Sequence, residues 1–239
     1  MYCFTCEMSK LKVYYDLISQ PARAILLLLK INRIPYEGCP VSLQKGEHLR
    51  EEYLKINPFH RIPTIDDDGF KLMESIAIMR YICQTRNIDD PWYPKDPKLR
   101  ARVDEYLEWQ HIDIRGNTMN YLMNKFILPS VTGELPPEKQ ILSYEKNLDK
   151  SFDYMENIWL QNGKKKYLTG DKITFADILG VCEANTTRIA GYDPRKNRPN
   201  LANWMDRMRD ELNPHYDEVH TKINAIYERF KGVPPVKRS

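Results

Sequence analysis

The chain has 239 residues, 42% of them hydrophobic and 26 of them aromatic (7 Phe, 4 Trp, 15 Tyr), which gives enough apolar surface for packed cores and excludes a disordered chain. Thirty-six Lys and Arg against 33 Asp and Glu leave a formal charge of +3, too weak and mixed a bias to call for a nucleic-acid or anionic-membrane partner. The longest unbroken apolar run, AILLLL at 24–29, is far too short to span a bilayer, and the start MYCFTCEMSK carries no basic segment followed by an apolar one.

Taken in chain order, residues 11–17 (LKVYYDL) read as a strand that stops at a helix N-terminus, with Ser19 at the cap and Pro21 in the first turn. The following ARAILLLLKI is too apolar for a surface helix and is expected to be buried. A second strand is expected over 35–42 and a short helix over 47–56, ending before Asn57-Pro58. Asp67-Asp68-Gly69 between two apolar runs signals a hairpin, and Ser75 opens a helix to about Arg86. The order β-α-β-α-β-β-α within about 80 residues suits one small α/β domain.

Three prolines fall within residues 89–97, which reads as a linker. Beyond it the periodicity is helical throughout. One long helix is expected to about Phe126, and a second from Glu138 to about Leu160 after Pro136-Pro137. Shorter ones are expected over 201–208 and 219–230. Thr174-Phe-Ala-Asp177 has the spacing of a capping box, with Asp in place of Glu or Gln. The helix it opens is apolar nearly all round, so it should be the buried centre of this second region.

Five scattered cysteines (Cys3, Cys6, Cys39, Cys83, Cys182) imply reduced thiols and a cytoplasmic setting rather than a disulfide framework. The Cys3-x-x-Cys6 pair lies in a tail before the first strand, and no second pair completes a metal site, so no metal is expected.

Three features can carry chemistry. Ser19, at a strand-to-helix turn, can donate to an anion held at the helix N-terminus; taken alone, it reads first as a simple cap. Asn57-Pro58 and Ile62-Pro63 bracket an extended stretch whose backbone could meet a peptide-like ligand, with Pro63 a candidate cis proline. Glu74-Ser75, at the next strand-to-helix junction, can present a backbone N–H to a carboxylate.

The motifs DLISQPARA (16–24), NPFHRIP (57–63) and ESIAI (74–78) resemble the glutathione-site pattern of cytosolic glutathione S-transferases, and LTGDKITFAD (168–177) resembles that family's capping-box signature. WYP (92–94) and ARVDEYLEWQH (101–111) look specifically like the theta class. The resemblance spans residues 10 to about 230. It implies a thioredoxin-like α/β domain at 10–88, a linker at 89–97, an all-helical domain at 98–230 bearing the second-substrate pocket, and tails at 1–9 and 231–239. The first tail lacks a counterpart in the family and is expected to be disordered. The C-terminal segment is shorter than the long cap of some theta enzymes, so substrate preference does not transfer.

Residue by residue, the resemblance implies that Ser19 hydrogen-bonds the glutathione sulfur, with Arg115 close by. Ile62 would pair its backbone with the cysteinyl part, and Glu74 and Ser75 would bind the γ-glutamyl end. His48 (in KGEHL, 45–49) and Arg61 would lie near the glycyl carboxylate. Pro63, Thr174 and Asp177 are structural. Tyr15 is a rival to Ser19, since other classes use a tyrosine at the end of the first strand. The implied function is glutathione transfer to small hydrophobic electrophiles in detoxification, by a homodimer with glutathione as co-substrate and no metal, nucleic-acid or membrane partner. The alternatives are a non-catalytic binding or scaffold protein of the same fold, a glutathione-dependent peroxidase or dehydrohalogenase, and a thiol-disulfide oxidoreductase; the last would need a cysteine where Ser19 stands.

Overall fold

Leu11 and Val13 face inward from β1 (Leu11–Tyr15), the strand around which a four-stranded sheet is built. In the computed structural model, which describes residues 11–88, 90–234 and 236, β1 pairs in parallel with β2 (Glu37–Pro40) and antiparallel with β3 (Thr64–Asp67). β4 (Phe70–Met73) completes the order β2-β1-β3-β4, with Val13 opposite Gly38 on one side and Ile65 on the other. The β3–β4 turn is the expected Asp-Gly hairpin. Asp68 and Gly69 both have positive φ (53° and 88°), the conformation a two-residue hairpin of matching twist requires.

A parallel pair needs a crossover, and α1 (Gln20–Ile31) supplies it. The run from Gln20 to Leu29 is entirely buried because α1 is covered on several sides, by α3 (Ser75–Thr85) and by the helical half of the molecule. The observed β2 is shorter than the 35–42 expected. The helix expected over 47–56 is interrupted at Arg50, whose extended backbone (ψ 152°) separates a 3₁₀ turn (Glu47–Leu49) from α2 (Glu51–Leu54).

The proline-rich segment gives way to helix at Pro97. Asp96 caps α4 (Pro97–Ile112) by accepting from the amides of Lys98 and Leu99 at 3.0 and 2.9 Å. The single long helix expected to Phe126 is instead kinked and longer. Asp113 (ψ −88°), whose carboxylate accepts from Ser151 Oγ at 2.5 Å, separates α4 from α5 (Ile114–Leu122). A π turn (Met123–Ile127) then leads into α6 (Leu128–Thr132). Pro129 has no N–H and crowds the carbonyl four residues back, which accounts for the widened turn before it. α7 (Glu138–Tyr154) runs into a second π turn ending at Trp159, close to the expected end, while α9 (Pro199–Leu212) and α10 (His215–Phe230) are both longer than expected.

α8 (Phe175–Thr186) is the buried axis of this half. Gly180 within it is required by packing: a Cβ there would lie 2.7 Å from the Tyr106 hydroxyl and 2.8 Å from Leu168. Thr174 and Asp177 make the expected capping box. The structure adds that Asp177, fully buried, accepts from four donors: Thr174 N (2.9 Å), Thr174 Oγ1 (3.1 Å), Leu168 N (2.8 Å) and Trp204 Nε1 (3.0 Å). The Cys3–Cys6 tail and Asp89 lie outside the described residues.

Candidate functional site

A cavity of about 140 Å³ opens between the two halves. Its lining includes Pro21 from α1, Arg61 and Ile62 from the loop before β3, Glu74 and Ser75 at the start of α3, and Arg115 from α5. Residues almost 100 positions apart in sequence therefore converge on one hollow.

Each wall has a local cause. Ser19 is the N-cap of α1; it is 8% exposed and accepts from Ala22 N over a long 3.5 Å. That bond uses an oxygen lone pair and leaves the hydroxyl proton to be donated. The turn before it is braced from three directions. Asp16 accepts from Ile18 N and Leu43 N, each at 3.0 Å, and forms an ion pair with Lys222 Nζ of α10 at 2.6 Å. Arg23, wholly buried, donates to the carbonyls of Leu17 (2.7 Å) and Ile18 (3.0 Å). Its other terminal nitrogen donates to Cys182 O at 3.0 Å and to Thr186 Oγ1, both on α8.

The second wall is the 57–63 loop, and Ile62–Pro63 is cis as expected. Buried Asn57 ties the loop together: its amide nitrogen donates to Arg61 O (2.7 Å) and Thr64 Oγ1 (3.0 Å), and its oxygen accepts from Phe59 N (2.9 Å). Tyr53 adds a bond from its hydroxyl to Arg61 O at 2.8 Å. The third wall is the β4–α3 junction. Glu74 stands there at φ 66°, in a region a non-glycine residue enters at a cost, and its exposed side chain borders the cavity. The first N–H groups of α3 point out of the helix start and favour an anion.

Sequence reasoning brought Arg61, Ile62, Pro63, Glu74, Ser75 and Arg115 to the same place, since all six line the cavity. Ser19 is not in the lining but is two residues from Pro21, which is. His48 sits on the 3₁₀ turn Glu47–Leu49, outside the lining, with its Nδ1 enclosed and without a hydrogen-bond partner among the described residues. Thr174 and Asp177 are remote, inside the helical half. Tyr15 is also outside the lining: its ring packs beside Gly38 of β2.

The residues that reasoning missed are the braces, Asp16, Arg23, Tyr53 and Asn57, together with His111 in the lining. A charged residue in an otherwise apolar helix, as Arg23 is, was the available signal. Arg115 also has an unexpected partner. Its guanidinium lies 2.6 Å from Glu183 of α8, whose side chain is fully buried. Burial raises the Glu183 carboxyl, opposed by the nearby Arg115 and Arg23.

Two helix N-termini and two arginines favour negative charge in the cavity, while Glu74 offers one place for an amine. With an extended loop edge at Ile62, this describes a thioredoxin-like fold whose site suits an anionic, peptide-like molecule. The family models for the glutathione S-transferase N-terminal and C-terminal domains match residues 10–84 and 118–211. Bovine glutathione S-transferase theta-1 is 39% identical over 229 residues, covering 95% of each chain. The apo form of human glutathione S-transferase T1-1 superposes with a TM-score of 0.88 at 35% identity, covering 95% of this chain and 93% of that one. A human theta-class transferase in complex with the glutathione conjugate of 1-menaphthyl sulfate gives 0.84 at 32%, covering 94% and 93%. The chain belongs to the glutathione S-transferase family, within its theta class. Among the described residues, no helix is long and apolar enough to cross a membrane.

Proposed function

We propose that the cavity binds glutathione and directs its thiolate at small hydrophobic electrophiles, in a cytoplasmic detoxification role. The observation that carries the reading is the convergence of the α1 and α3 first turns, the cis-proline loop and Arg115 on one hollow. The γ-glutamyl end lies at Glu74 and Ser75, with its amine on the Glu74 carboxylate and its carboxylate on the α3 N-terminus. The cysteinyl part runs antiparallel to the backbone at Ile62. The glycyl carboxylate meets Arg61, with His48 at greater reach. The sulfur sits at the Ser19 hydroxyl, with Arg115 nearby.

The nucleophile belongs to glutathione, so the protein supplies position and charge stabilisation. A thiol of pKa about 8.5 is only about 3% ionised at pH 7; a pKa about two units lower gives about 75%. That shift needs about 2.7 kcal/mol of preference for the anion. One hydroxyl donor to a charged acceptor contributes about 1.5–3 kcal/mol, and a helix N-terminus about 0.3–1 kcal/mol more. Ser19 on α1 is therefore sufficient in magnitude.

The glutathione half spans 10–88 and the half that receives the electrophile spans 98–230. The unpaired Cys39, Cys83 and Cys182 suit a reducing compartment. The working unit in this reading is a homodimer, to which exposed apolar side chains such as Phe70 and Leu99 are available. The deciding experiment assays aryl halides, epoxides, alkyl halides and organic hydroperoxides with glutathione. Conjugate formation with at least one class is expected. Retention on immobilised glutathione with no turnover of any of them would establish a binding protein instead.

A further inference from the structure

We infer that Glu183 is a positioning residue that holds Arg115 over the sulfur end of the cavity. The inference rests on the placement of Arg115 proposed above. Glu183 lies on α8, the most apolar helix of the molecule, and its side chain has no exposure. A carboxylate in such a place is strongly unfavourable unless a cation answers it. Two cations are near, Arg23 and Arg115, and the structure separates their roles. The terminal nitrogens of Arg23 are already engaged by Leu17 O, Ile18 O, Cys182 O and Thr186 Oγ1. Among the described residues, Arg115 forms its ion pair with Glu183, with Nη2 at 2.6 Å from Oε1.

The pairing bears directly on the cavity. Arg115 is in the first turn of α5, immediately after the kink at Asp113, and its side chain retains 19% exposure on the cavity side. A long cationic side chain at such a rim has solvent as an alternative, and fixing it in one rotamer costs entropy. Glu183 supplies the compensating interaction from below, inside the dry core, where charge attraction is least screened. The contact is an ion pair rather than an aligned hydrogen bond: neither carboxylate oxygen of Glu183 has a well-oriented donor among the described residues. A guanidinium carries five N–H donors, so holding Arg115 from behind through the buried Nη2 leaves others for an anion in the cavity. One stretch of α8 carries both devices, with Cys182 and Thr186 anchoring the arginine that braces the Ser19 turn and Glu183 anchoring the arginine of the rim.

The experiment measures the ultraviolet absorbance of the bound glutathione thiolate against pH, with kcat and KM, for wild type, Glu183→Ala, Glu183→Gln, Arg115→Ala and the Glu183→Ala/Arg115→Ala double variant. Glu183→Ala is expected to raise the bound thiol's pKa by about one unit, which takes the thiolate at pH 7 from about 75% to about 25%, and to lower kcat with KM for glutathione nearly unchanged. The double variant is expected to match Arg115→Ala alone, since Glu183 acts through Arg115. Glu183→Gln, which keeps the size of the side chain and removes its charge, is expected to fold and to shift the thiol nearly as far as Glu183→Ala, since the contact is an ion pair. If Arg115→Ala shifts the thiol and folded Glu183→Ala does not, or if the Glu183 effect persists without Arg115, this inference falls and the placement of Arg115 stands. If Arg115→Ala itself leaves the thiol unmoved, both fall together.

Discussion

The α-helices α1 and α8 both have a hydroxyl residue at the N-cap, Ser19 and Thr174, and the two caps are finished differently. At the start of α8, the cap is closed: Asp177 accepts from four donors, all from within the protein, and nothing is left for a ligand. At the start of α1, the cap bond is stretched to 3.5 Å, the serine proton is left over, and the turn beside it opens on a cavity. The same local chemistry is therefore closed within one half and, in the function proposed above, open to a ligand in the other. What separates them is the tertiary surroundings. Leu168 and Trp204 crowd onto the α8 cap, whereas α1 meets the open edge made by the cis-proline loop and α3.

The comparison is broken most severely at Asp177. Asp177→Ala should cost about 3–5 kcal/mol, seen as a lower urea midpoint, because buried Leu168 N–H and Trp204 Nε1–H both lose their acceptor. Glutathione affinity of the folded fraction should be unchanged. The penalty should also depend on pH. Burial pushes the Asp177 carboxyl up to about 6, above the unfolded value of about 3.9. The native state keeps the proton in that window while the unfolded chain releases it, so this group's contribution to stability falls as pH rises from about 4 to about 6. The cost of Asp177→Ala, followed by denaturation at several pH values, should accordingly be larger at pH 4 than at pH 7.

The converse experiment is at Ser19. Ser19→Ala should raise the bound thiol's pKa by about one to two units and lower kcat about ten- to a hundredfold, while changing stability by less than about 1 kcal/mol, since the cap bond is already long. Tyr15→Phe should leave the thiolate band in place, and the reverse pattern in the same absorbance titration would move the role to the tyrosine.

A milder variant sharpens the link between the halves. Lys222→Met removes the ion pair to Asp16 while leaving the two backbone amides that Asp16 also accepts. A loss of about 1 kcal/mol is expected, with a severalfold drop in kcat as the serine turn loosens. An unaltered kcat in steady-state assays would show that α10 stabilises without tuning the site. The smallest effect is expected for Thr174→Ala, about 1 kcal/mol by chemical denaturation, because Asp177 still accepts from the backbone of residue 174.

Much of this architecture was legible in the chain because its signals are local. The Asp68-Gly69 turn, the Ser19 cap with Pro21 behind it, and the Thr174–Asp177 box each lie within four residues, the range over which side chains answer the backbone. The family resemblance likewise read six residues of one cavity from two short motifs and a helix. The kink at Asp113 and the π turn before Pro129 were not legible from apolar spacing, since a helical period continues across both. The charged pairs were less so. Asp16 and Lys222 are 206 positions apart, and neither residue's neighbours in sequence name the other. The sequence by itself determined which segments fold and where their helices begin, because turns and caps are decided by bonds between near neighbours. Only the tertiary structure decided that Arg23, Arg115 and Asp16 are held by partners on α8 and α10, because a buried charge finds its acceptor or counter-charge through space, once packing has excluded water from both.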